Sequence, residues 1–204
     1  NIESYLEEIH DLFGDEEENE DGYVEISEDG DECENIPDEV KAICKWDNIK
    51  YINTILTKDN LVFSSYDRRR QVALQYFLNV FSCIIKGEMI NRNVSEKTII
   101  ELSDLPKEEL KEKLIACNEA CKTIICVYEK VDEFWKNKAS FFTLCYVLTM
   151  ERTQRSPEEI ADMLDAFQHS SSPDWQQYYE ASNQGVNDKK VRELRASILK
   201  RILK

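Results

Sequence analysis

Six residues of the chain are spaced like the ligands of a calcium loop. Glu17, Asn19, Asp21, Gly22, Val24 and Glu28 fall at positions one, three, five, six, eight and twelve of that pattern. Oxygen donors at alternate positions would wrap a hard cation. The Gly would make the sharp turn, and the final carboxylate would bind through both oxygens. Glu17 stands where Asp is usual, and its extra methylene changes the reach. Gly30 and Pro37 interrupt the helix that should leave such a loop. In so acidic a run a partial match arises by chance. A solvated acidic linker is therefore the preferred reading, and no metal is assigned.

The other metal-binding residue type is cysteine, of which there are seven, at 33, 44, 83, 117, 121, 126 and 145. No CxxC pair occurs, and His10 and His169 lie far from every cysteine in sequence, so a zinc site is not expected. Cys117, Cys121 and Cys126 sit in one apolar-periodic stretch, where Cys behaves as a small hydrophobe. Reduced thiols and a cytoplasmic location follow as the expectation. The chain carries no nucleotide-binding loop, no GxSxG and no HExxH, and no carboxylate is flagged by its spacing. No catalytic residue and no cofactor are assigned.

Basic and aromatic residues offer a different chemistry. From Gly185 to Lys204 stand Lys189, Lys190, Arg192, Arg195, Lys200, Arg201 and Lys204, against only Asp188 and Glu193. Val191, Leu194, Ile198, Leu199 and Ile202 give this helix an apolar face, which leaves the cations outside. Asp67-Arg68-Arg69-Arg70 forms a second cluster at a helix start, where cations oppose the helix dipole and so answer to something else. Arg68, Arg69, Arg70, Lys189, Lys190, Arg192 and Arg195 are the candidate contacts for a nucleic acid or phosphate group. The plainer reading is an ordinary solvated helix surface. Trp175, Tyr178 and Tyr179 form an aromatic patch suited to stacking a base, though packing against a neighbouring helix is preferred.

Charge divides the chain. The first forty residues hold eighteen Asp and Glu and no Lys or Arg, within a total of 41 acidic and 26 basic residues and a net charge of -15. The remainder is thus nearly neutral. An acidic run of this kind serves as an interaction tail, here one that captures a basic protein partner or folds back on the chain's own basic face. The chain begins at Asn1 with no charged and apolar leader, and reads as a fragment of a longer protein. No apolar run approaches the roughly 20 residues of a membrane span, so no membrane partner is expected.

The elements that must position these groups are helices. With 5 Gly and 4 Pro the chain is too poor in turn formers for a sandwich or barrel. Residues 1–36 read as a short helix over 2–13 followed by a mostly flexible acidic arm, with Tyr23 to Ile26 able to form a brief strand. Residues 37–204 read as a single helical domain, and the whole as an irregular all-α bundle of about eight helices. One helix starts near Pro37 and breaks near Asp47-Asn48. Another runs from a Ser65 cap to Lys86 and Gly87. Further helices lie near 95–102, from about Pro106 to Tyr128, over 137–151, from Ser156-Pro157, from Ser172-Pro173, and from an Asn187-Asp188 cap to Leu203. The stretch at 137–151 is apolar on nearly every face and should be central.

Two segments of the final third carry a family resemblance. Asn137-Lys138-Ala139-Ser140-Phe141-Phe142-Thr143-Leu144 is one. The other runs Tyr178-Tyr179-Glu180-Ala181-Ser182-Asn183-Gln184-Gly185 and on through Arg192 to Arg195. Together they resemble the helical C-terminal portion of bacterial GmrSD-type proteins with a ParB/sulfiredoxin-like domain, associated with restriction and phage defence. In that family a Y-x-x-A-S-x-x-G stretch precedes an Arg-bearing terminal helix. The family's Asp-Gly-Gln-Gln-Arg signature is absent here, so no catalytic residue carries over. The resemblance implies a non-catalytic helical accessory module of a nucleic-acid-acting protein, with any catalytic domain upstream.

Overall fold

The computed structural model describes residues 45–91 and 106–204. Outside them lie the acidic segment, the calcium-loop residues Glu17, Asn19, Asp21 and Glu28, the helices expected over 2–13 and near 95–102, and the start of the one expected from Pro37. The later part of that helix is Trp46–Thr57, with its N-cap at Lys45, close to the break expected near Asp47-Asn48. The described residues form eight α-helices and no strand, which bears out the all-α reading. In chain order these are α1 (Trp46–Thr57), α2 (Ser65–Arg69), α3 (Val72–Lys86), α4 (Lys107–Tyr128), α5 (Lys138–Glu151), α6 (Pro157–Gln168), α7 (Pro173–Asn183) and α8 (Lys189–Ile202). A 3-10 turn, Glu133–Lys136, leads into α5.

Helix α5 is the hub. Every residue from Ala139 to Thr149 is buried, because α3, α4, α7 and α8 all pack on it. Asn137 caps it by accepting from the Ser140 N–H at 2.9 Å. Phe141 and Phe142 are fully buried, and Phe141 meets Phe63 edge-on with ring centroids 6.0 Å apart. Against α5 lies α4, which turns Leu114, Cys117, Cys121, Ile124 and Tyr128 inward at helical spacing. Asn118 on the same helix clamps α1. Its side-chain oxygen accepts from the N–H groups of Tyr51 (2.9 Å) and Ile52 (3.3 Å), and its amide donates to the Asp47 carbonyl at 3.2 Å.

Local punctuation matches the sequence at some places and departs from it at others. Ser156 with Glu159 makes the expected capping box of α6, and Ser172 accepts from the Trp175 N–H at the start of α7. Gly87 ends α3 in the left-handed region, at φ +69°. The single helix expected over 65–86 is instead two. Gln71 sits at φ +55°, which breaks the ladder between α2 and α3. The cap is Ser64 rather than Ser65, in a reciprocal box with Asp67. At α8, Asp188 holds the cap position without a side-chain cap bond. The Lys189 N–H is satisfied from a distance by Asn91, at 2.9 Å.

Candidate functional site

The basic terminal helix is built around two arginines that point inward. Arg192 and Arg195 are 1% and 0% exposed, among the largest fully buried side chains in the described residues. The helix is turned so that Arg192, Arg195, Ala196, Leu199 and Leu203 share the buried stripe with Ile198, while Leu194 faces solvent. Arg192 donates to the Asn79 side chain (2.7 Å), the Ile90 carbonyl (2.8 Å) and Asn187 (3.2 Å), with its guanidinium 4.2 Å from the Phe142 ring centroid. Arg195 donates to Thr143 Oγ1 (3.0 Å), the Ala181 carbonyl (2.6 Å) and the Val186 carbonyl (3.1 Å). Burial lowers the Arg195 guanidinium from its usual range.

These positions correct the expectation that Arg192 and Arg195 contact nucleic acid, because a side chain this deep cannot reach a phosphate on a surface. Their partners explain why. Planar guanidinium forks match carbonyl, amide and hydroxyl oxygens that other segments leave facing inward. Those oxygens lie 5 to 113 residues away in sequence, so helical periodicity alone pointed the arginines outward.

The remaining predicted cations are dispersed. Lys189 pairs with Glu88 at 2.7 Å and approaches Glu193 at 3.8 Å. The hydrogen bond from Lys189 holds Glu88 below the usual carboxylate range, and Glu88 raises Lys189 in return. Lys190 is exposed. Arg68 reaches back to the Thr57 carbonyl and Asp59 at the end of α1. Arg69 is exposed, and Arg70 lies over the Tyr66 ring with 5.2 Å to its centroid. Because α2 is only five residues long, Arg68 and Arg69 occupy its last turn. The expected conflict with the helix dipole is therefore absent; cations are favoured there.

The aromatic patch belongs mostly to the interior. Tyr178 is fully buried beside Trp135, at 5.4 Å between centroids, and burial pushes its hydroxyl up to about 12, with the charge of Arg195 pulling the other way. Trp175 is half-buried against Phe134 (5.0 Å) and Phe167 (5.4 Å). Tyr179 is 51% exposed, with its ring stacked on Phe134 at 5.7 Å. The packing reading prevails for Tyr178 and Trp175; only Tyr179 presents much surface.

A third constellation comes together only in the fold. Cys117 and Cys121 on α4 meet Cys145 on α5, all three fully buried, with their sulfurs within 4.8 Å of one another. The Cys117 and Cys145 sulfurs are 3.7 Å apart. A spacing rule that looks for CxxC and His misses a set whose third member comes from the neighbouring helix. The four-residue interval between Cys117 and Cys121, which puts both on one helix face, was the available signal.

No family model matches the chain, and no curated protein or solved structure matches it.

Proposed function

We propose that this chain is a non-catalytic helical module that works by protein contact, with its acidic segment capturing a basic partner. One contrast carries the reading. All eighteen carboxylates of residues 1–40 lack any Lys or Arg among them, while the cations of the helical body are largely engaged inside it. Arg192 and Arg195 are buried, Lys189 and Lys200 are paired with Glu88 and Glu151, and Arg201 is paired with Asp174. The negative pole is thus the one offered to a partner, and acidic surfaces steer basic ones by long-range attraction.

This role agrees with the accessory position implied by the resemblance to GmrSD-type defence proteins. Tyr178, Ala181 and Arg195, which carry part of that resemblance, are buried where α7 meets α8, with Gly185 exposed in the turn between them. They favour a likeness of architecture over one of chemistry. A cytoplasmic setting suits the free thiols of Cys83, Cys117, Cys121, Cys126 and Cys145. Among the described residues no helix is long and apolar enough to cross a membrane.

Deletion of residues 14–36 tests the reading. An oligolysine peptide labelled for fluorescence anisotropy should bind the full chain in low salt and lose that binding on deletion. Equal binding by both proteins would refute it.

A further inference from the structure

The thiol cluster between α4 and α5 supports an inference independent of the acidic segment. We propose that Cys117, Cys121 and Cys145 form a three-coordinate site for a soft monovalent cation, copper(I).

The geometry is close to what such an ion requires. An ion about 2.3 Å from each of three sulfurs, at the centre of their triangle, needs edges of about 4 Å. The sulfurs already lie within 4.8 Å of one another, with one edge at 3.7 Å. Their placement is also stiff. Cys117 and Cys121 stand one turn apart on the buried face of α4. Cys145 lies midway along the helix that is buried on every side. Full burial confines each side chain to the orientation the core allows.

The donor set selects the ion. Among the described residues the cluster contains sulfur alone, with no carboxylate or imidazole. Thiolates favour copper(I), zinc and iron–sulfur clusters. Structural zinc is four-coordinate and iron–sulfur clusters commonly take four cysteines, whereas copper(I) accepts three sulfurs in a plane. The balanced step is loss of one thiol proton to solvent for each copper–thiolate bond that forms, three in all.

The test is anaerobic titration of the full chain with copper(I) against a chromophoric copper(I) chelator. The wild-type chain should retain one equivalent that Cys145→Ala and Cys121→Ala lose and Cys126→Ser keeps. X-ray absorption should then count three sulfur neighbours. Retention unchanged in Cys145→Ala would overturn the site. Should the alanine variants fold poorly, the wild-type melt decides. Copper(I) bound in the native core must raise the melting temperature, since a ligand that binds only the folded state stabilises it. No rise at saturating copper(I) would mean that the three thiols are only packing groups.

Discussion

Arg195 shows how far a residue's type can mislead about its place. Its guanidinium holds Thr143, Ala181 and Val186 together, so α5, α7 and the turn into α8 meet at one side chain. Thr143 is itself fixed by donating to the Ala139 carbonyl at 2.9 Å. Lysine keeps the charge but cannot span three divergent acceptors. Arg195→Lys should therefore lower unfolding free energy by about 3 kcal/mol, as expected when two hydrogen bonds to a buried charge are lost. Urea denaturation followed by circular dichroism measures it, and an unchanged midpoint would mean the arginine is incidental. Phe141→Ala should cost about 3–5 kcal/mol, the usual range for a fully buried Phe. The phenylalanine was legible from the run of apolar residues around it. The arginine was not, because the oxygens it satisfies come from other segments.

At the scale of elements, caps and apolar stripes were readable and breaks were not. Ser156, Ser172 and Gly87 punctuate helices as their types require. The division of α2 from α3 rests on Gln71 in a left-handed conformation that its side chain does not favour. Gln71→Gly should accordingly stabilise the fold by up to about 1 kcal/mol, unless the greater freedom of Gly in the unfolded chain offsets the relief. A melting temperature clearly below the parent's would contradict a strained position. The same junction has a pH signature. Asp67 is partly buried, which works against its charge. Its bonds to Lys138 (2.5 Å) and to the Ser64 N–H (3.0 Å) and hydroxyl (2.8 Å) outweigh this and hold it below the usual aspartate range. A carboxyl depressed in the folded state stabilises above its unfolded value, and that contribution is lost as pH falls through the folded one. Asp67→Asn should thus flatten the acid limb of the stability profile below about pH 4. An acid limb identical to the parent's would show that Asp67 carries none of it.

For the whole molecule, composition forecast the all-α architecture and the central helix, since an apolar face on every side leaves a segment nowhere to lie but inside. It did not forecast the cysteine cluster, which exists only because α4 and α5 cross at Cys117 and Cys145. Nor did it show that the terminal helix buries its arginines instead of displaying them. That last difference turns the account from nucleic acid toward a basic protein partner. The most direct measurement is a pair of titrations of the full chain across a salt series, one with labelled oligolysine and one with labelled duplex DNA. The account predicts oligolysine binding that weakens as salt rises, and no DNA binding even at the lowest salt. DNA binding with a steep salt slope, or indifference to oligolysine, would contradict it.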